Sequence, residues 1–149
     1  MKTILAPVDF SSASRGVLAQ SVTLANSLRA RLVLLHVVQP PVFINEYEMM
    51  LSEVARVAAA QEKSATRHLA RLEKALASRV SSVTHVCLLG SPARLIVEHA
   101  KKISADYIVL GSHGHTAFHD LLVGSTAAGV LKHAKCPVVV VPPPAARKK

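Results

Sequence analysis

Three glycines and a pair of hydroxyls in this 149-residue chain carry a spacing that could do chemistry. Gly111 closes the apolar run Tyr107–Leu110, Gly114 follows, and Gly124 stands immediately before Ser125 and Thr126, giving G-x2-G-x9-G-S-T. After it Ala127, Val130, Leu131 and Ala134 recur at helical spacing. Glycine has no Cβ, so the backbone can take a positive φ and approach a ligand closely. The first N–H groups of a helix have no acceptor inside it. Together with the helix dipole and two hydroxyls they form a site for an anion, and the chemistry to expect is phosphate binding. The pattern is not a Walker A loop, which needs G-x4-G-K-[ST]; no lysine follows Gly124.

Asp9 ends the first apolar run. Its carboxylate can accept bonds from sugar hydroxyls, hold a metal on phosphates, or close an Asx turn that starts a helix. His113, His115, His119 and Asp120 are metal-ligand types. Their H-x-H-x3-H-D spacing is not a closed site such as H-E-x-x-H, and reads as a polar loop beside a phosphate site. No nucleophile–base pair, paired carboxylates or kinase-type metal set is visible, and no serine sits in G-x-S-x-G. The sequence points to binding, with catalysis unsupported.

These residues need a scaffold, and the apolar pattern supplies one. Thr3–Val8, Arg31–Val38, Val83–Leu89, Tyr107–Leu110 and Val138–Val141 read as strands. The first lacks alternation, as expected when both faces are covered. The third alternates in part, as at an edge or half-covered position. Between them lie helices. Ser11 or Ser12 can cap the first, which buries Leu18, Val22, Ala25 and Leu28. The second covers about Glu46–Ser78 after a loop from Pro40 to Asn45, with the stripe Leu51, Val54, Ala58, Gln61, Ala65, Leu69, Leu72 and Leu76. The third starts at Ser91-Pro92 and turns Ile96, Ala100 and Ile103 inward. Strands alternating with helices predict a parallel sheet covered on both faces. Ligands on such sheets bind at the carboxyl ends of the strands, where strand order reverses.

At this length one domain buries roughly 68–70% of its unfolded surface. We read residues 1–144 as that domain and 145–149 as a basic tail. No run of about 18 apolar residues offers a membrane span. Ile4–Val8, broken by Asp9, is too short for a signal peptide. Cys87 and Cys136 have no framework spacing and suit reduced thiols in a cytoplasmic protein. The formal net charge of +9 favours acidic ligands. It does not by itself indicate nucleic acid, because aromatic content is 3% and no reading element is recognisable.

The glycine pattern resembles the ATP-binding branch of the universal stress protein family. The likeness extends over nearly the whole chain: Met1–Ser11 is similar to the family's first strand and turn, Leu34–Val38 to its second strand, Gly90-Ser91-Pro92 with Ile96 to the start of its third helix, and Cys136–Val141 to its last strand. The resemblance implies a doubly wound, Rossmann-like α/β fold with five parallel strands ordered 3-2-1-4-5 and helices on both faces. It also implies a regulator that binds ATP with Mg or Mn. Pro7 and Val8 would give backbone and apolar contact, and Asp9 would meet ribose or the metal. The Val37 main chain would hold the adenine edge, with Leu110 under the base. Gly111, Ser112, His113 and Gly114 would line ribose and phosphates, and Gly124, Ser125 and Thr126 the terminal phosphates. Many members carry arginine where His113 stands, and an imidazole carries less charge at neutral pH.

Two other functions use the same features: a slow ATPase or phosphotransferase in the same pocket, and a basic nucleic-acid-binding protein. The last strand adds an assembly. Pro137 suits a strand start or an edge, and four valines follow without a charge to guard them. A homodimer through Val138–Val141 is the closed way to cover that edge, and the resemblance implies the same. A further protein partner is expected but not identified by the sequence.

Overall fold

A computed structural model describes residues 1–40, 48–113 and 123–144. Among the described residues five strands and four helices alternate: β1 Thr3–Pro7, α1 Ala13–Leu28, β2 Arg31–Val38, α2 Glu48–Leu76, β3 Val83–Leu89, α3 Pro92–Lys102, β4 Tyr107–Gly111, α4 Ser125–His133 and β5 Val138–Val141. The sheet is parallel throughout, in the order β3-β2-β1-β4-β5. This is the doubly wound, Rossmann-like arrangement expected.

Successive strand residues point to opposite faces, and the central strands feed two cores. Ile4, Ala6, Leu32, Leu34 and Val109 pack against Val17, Val22 and Ala25 of α1 and Leu69 and Leu76 of α2. Leu5, Val33, Leu35, Ile108 and Leu110 pack against Ile96 and Ala100 of α3 and Ala127 and Val130 of α4. Both faces of β1 are therefore covered, which is why its sequence shows no alternation. Cys87 and Cys136 are unbridged thiols, and burial, the largest cause in each, pushes both above the ordinary thiol range.

Two apolar residues of the expected helical patterns are exposed. Leu51 is 72% exposed. A 29-residue helix is about 43 Å long, whereas the eight residues of β2 span about 26 Å. The helix is longer than the strand it packs on, and Leu51, near its start, stays exposed among the described residues. Leu131 is 47% exposed, because the buried face of α4 is set by Ala127 and Val130. Neither Ser12 nor Ser91 makes a side-chain cap bond at the helix it precedes, although each occupies the N-cap position.

The contact between α3 and α4 is tight. A Cβ on Gly129 would lie 2.7 Å from the Cβ of Ala93, and neither backbone can yield alone. Gly129→Ala should therefore force the two helices apart. Overpacking costs about 1–3 kcal/mol, which exceeds the ~1 kcal/mol that alanine adds in helix propensity. A lower urea midpoint at unchanged slope is the expected result, and a raised midpoint would show that the contact has slack.

Candidate functional site

β1 and β4 are neighbours, although β2 and β3 lie between them in sequence. From β1 the chain winds one way through β2 and β3, and from β4 the other way to β5. The crevice above their carboxyl ends holds a cavity of about 730 Å³. It is lined by Pro7 at the end of β1 with Val8 and Asp9 after it, Val37 of β2, Leu110 and Gly111 of β4 with Ser112 and His113 after them, and Gly124, Ser125 and Thr126 at the start of α4. Every residue singled out for nucleotide contact thus faces one space, except Gly114. Gly114 lies outside the described residues, as do His115, His119 and Asp120. Among the described residues no group of three or more His, Cys, Asp or Glu converges as a metal site.

The end where phosphate is expected is built by Ser112, just after β4, and by Gly124 at the start of α4. Ser112 is buried. Its N–H donates to the Val141 carbonyl (2.8 Å), and its own carbonyl accepts the Gly124 N–H (2.6 Å). Gly124 is the N-cap of α4, in extended conformation, and its carbonyl takes the first helical bond from Ala128 N–H (2.9 Å). The N–H groups of Ser125, Thr126 and Ala127 precede that first bond and have no acceptor within the helix. No acidic residue stands in the first turn to offset the dipole.

The glycines serve this end by size, and here the expectation is corrected. Among the described glycines only Gly90 has positive φ (146°). A Cβ at Gly124 would lie 3.2 Å from the Ser112 carbonyl oxygen, and one at Gly111 would lie 3.3 Å from that of His113. Close approach of backbone to backbone, and not a left-handed turn, is what crowds a side chain at both. Ser125 is the first helical residue, one place after the cap. Beside it, Ser112 Oγ and His113 Nδ1 are 3.0 Å apart.

At the other end β2 outruns β1. Their pairing stops at Pro7 with Leu35, and the Leu35 carbonyl accepts the Val8 N–H (2.8 Å). The Val8 carbonyl would continue the ladder to Val37, but it accepts from His36 Nδ1 instead (2.7 Å). Val38 faces the other way, its carbonyl taking the Gly90 N–H (2.9 Å). Backbone groups alternate along a strand, so the N–H and C=O of Val37 turn to the β1 side, past the end of β1 and into the cavity.

Asp9 opens the turn between these ends. Its Oδ1 accepts the Ser11 N–H (3.0 Å) and the Ser14 hydroxyl (3.1 Å). The carboxylate thereby closes an Asx turn ahead of Ser12, the N-cap of α1. Phe10 follows with φ 61°, a left-handed conformation that costs a non-glycine residue about 1–3 kcal/mol. Its ring stacks on His36 (4.4 Å, 25°) and on His68 (4.0 Å, 10°). Phe10, His36, His68, Gln61 and Ser64 all line the cavity, and sequence reasoning did not place them there. One signal was available: Gln61 is the polar residue in the α2 stripe, and 61, 64, 65 and 68 fall on one helical face.

The chain is thus a doubly wound α/β domain with its crevice at the switch point, one end an open helix start and the other an open strand end. The sequence profile of the Universal stress protein family matches residues 1–142, and the chain belongs to that family. A universal stress protein of Methanocaldococcus jannaschii is 32% identical over 149 residues, covering 96% of this chain and 83% of that protein. A universal stress protein A homologue of Coxiella burnetii is 30% identical, covering 94% and 95%. The structure of UspA from Lactobacillus plantarum superposes with a TM-score of 0.85 at 27% identity, covering 94% and 97%. Two solved members share the fold at lower identity: one in complex with cAMP (22%, TM-score 0.62) and one from Archaeoglobus fulgidus in complex with dAMP (19%, TM-score 0.66).

The double bond pattern at Asp9 predicts a split between two substitutions. Asparagine keeps an Oδ1 acceptor for Ser11 and Ser14, and alanine does not. Asp9→Ala should lose roughly 1 kcal/mol, as other lost side-chain hydrogen bonds do, while Asp9→Asn stays within about 0.5 kcal/mol of the parent in chemical denaturation. Equal losses would mean that the carboxylate's charge, not its acceptor, holds the turn.

Proposed function

We propose that this cavity binds ATP and that the protein is a cytoplasmic, nucleotide-dependent regulator in the stress response. The observation that carries the reading is the pairing of the cavity's two ends. The start of α4 offers N–H groups and the Ser125 and Thr126 hydroxyls to phosphate. Val37 offers one N–H and one C=O side by side, the complement of an adenine edge, which presents one acceptor and one donor. Leu110 supplies apolar surface below. The relatives holding cAMP and dAMP support an adenine nucleotide as the ligand class. Asp9 is the carboxylate among the described lining residues. One carboxylate plus phosphate oxygens and water is a normal magnesium environment, so Asp9 would hold Mg or Mn on the bound phosphates. The metal would neutralise phosphate charge there.

The reading includes a homodimer. β5 is an outer strand of the sheet, and Val139 is 37% exposed. The Pro137 carbonyl accepts from Ile108 N–H and the Val141 carbonyl from Ser112 N–H. Residues 137, 139 and 141 therefore face β4, and Val138 and Val140 turn their backbone groups outward. A second copy, related by a two-fold axis, would pair with those groups and close the edge.

Calorimetric titration should show ATP binding to the parent protein, with GTP weaker because its edge reverses donor and acceptor. Ser125→Ala removes one bond to a charged group, worth about 1.5–3 kcal/mol, so affinity should fall roughly 10- to 150-fold. His113→Arg should bind more tightly, because a permanent charge with a planar donor fork then stands at that wall. A parent protein that takes up no ATP would reject the reading.

Sedimentation should find the parent dimeric at micromolar concentration. Val140→Pro deletes an outward N–H and leaves the β4 ladder intact, so it should yield monomers. A Val140→Pro dimer would place the interface elsewhere.

A further inference from the structure

Three non-glycine residues among those described have positive φ: Phe10, Arg29 and Ser104. Arg29 is the C-cap of α1, and Ser104 follows the C-cap of α3. Helix ends commonly adopt this conformation. Phe10 is at no helix end. It sits between Asp9 and Ser11, inside the turn whose N–H and carboxylate close on each other. Something outside the turn must hold it there, and two rings do. Their centroids lie 4.4 and 4.0 Å from that of Phe10, both near parallel to it. Two rings this close could not share one face of Phe10 without overlapping, so they flank it. His36 is fixed in turn by its bond to the Val8 carbonyl. His68 comes from α2, a helix that otherwise reaches the site only through its side wall.

We infer that Phe10 is the positioning residue of the site: clamped between His36 and His68, it holds the left-handed turn that sets Asp9 against the cavity. The same histidine that grips Phe10 also occupies the Val8 carbonyl and so leaves Val37 facing the cavity. His36 thereby fixes both the base end and the carboxylate, and His68 completes the clamp from α2. The order of the site depends on where α2 lies, and by linkage a ligand that needs Asp9 in place must tighten the His68 contact by the same factor. This inference rests on the reading of the cavity as a nucleotide site.

The test is ATP titration into the full chain and three variants: Phe10→Ala, His68→Ala and His68→Phe. His68 is an exposed residue of α2, so its loss should lower the thermal midpoint by only a few degrees, and the variant stays folded through the titration. An aromatic pair is worth about the energy of a two- to tenfold change. His68→Ala should weaken ATP by roughly that factor, and Phe10→Ala by tenfold or more, since the left-handed residue then has no clamp at all. His68→Phe restores a flat ring and should restore parental affinity. If the parent binds ATP and both alanine variants match it within twofold, the clamp has no part in binding and the inference fails alone. If His68→Ala is weak and His68→Phe equally weak, stacking is not the cause, and the inference is again overturned. A parent that binds no ATP would instead remove the nucleotide reading and this inference with it.

Discussion

The adjacency of β1 and β4 is the constraint on which the site depends. Their direct pairing is short, Ile4 with Tyr107 and Leu5 with Ile108, yet it brings together segments about a hundred residues apart. The Asp106 carboxylate reinforces it by accepting the Thr3 N–H at 2.7 Å, and the Thr3 carbonyl takes the Asp106 N–H at 2.8 Å. Above that pair the chain leaves in opposite directions, and the space between the departing turns is the cavity. Ser112 then fixes the far wall. By bonding Val141 on one side and Gly124 on the other, it locks the start of α4 to the end of β5. The start of α4 is thus held by backbone bonds on both sides of Ser112, and a ligand there would find its donors already placed.

Much of this was legible in the residues. The strand runs and the Ser91-Pro92 helix start are local signals, and local signals survive folding. The G-x2-G-x9-G-S-T pattern marked the α4 turn correctly, yet for a different physical reason. Gly124 and Gly111 are small because a carbonyl oxygen passes close by, a fact about neighbours distant from the glycine's own dihedrals. Family likeness suggested the Val37 main chain, and no side-chain pattern could have done so, since the relevant groups belong to every residue. Their availability follows from where β1 stops.

The α2 side of the cavity was not legible. Phe10, His36 and His68 come from three elements and meet only once the sheet has formed. A phenylalanine after a strand-ending aspartate looks like any apolar turn residue, and a histidine at 68 looks like part of a solvated helix face. The exposed Leu51 has the same origin. Periodicity reports which residues share a face of a helix, but not how far along its length that face finds something to cover.

The length of α2 has a mechanical consequence. Leu69 and Leu76 anchor its C-terminal half in the core, while Leu51 near its start stays exposed. Ala58 and Ala65 are buried as well as Leu69 and Leu76, so the helix is held along about 27 Å of its length, from Ala58 to Leu76. It cannot tilt about a single point, and His68, between two of these contacts, travels with the whole rod.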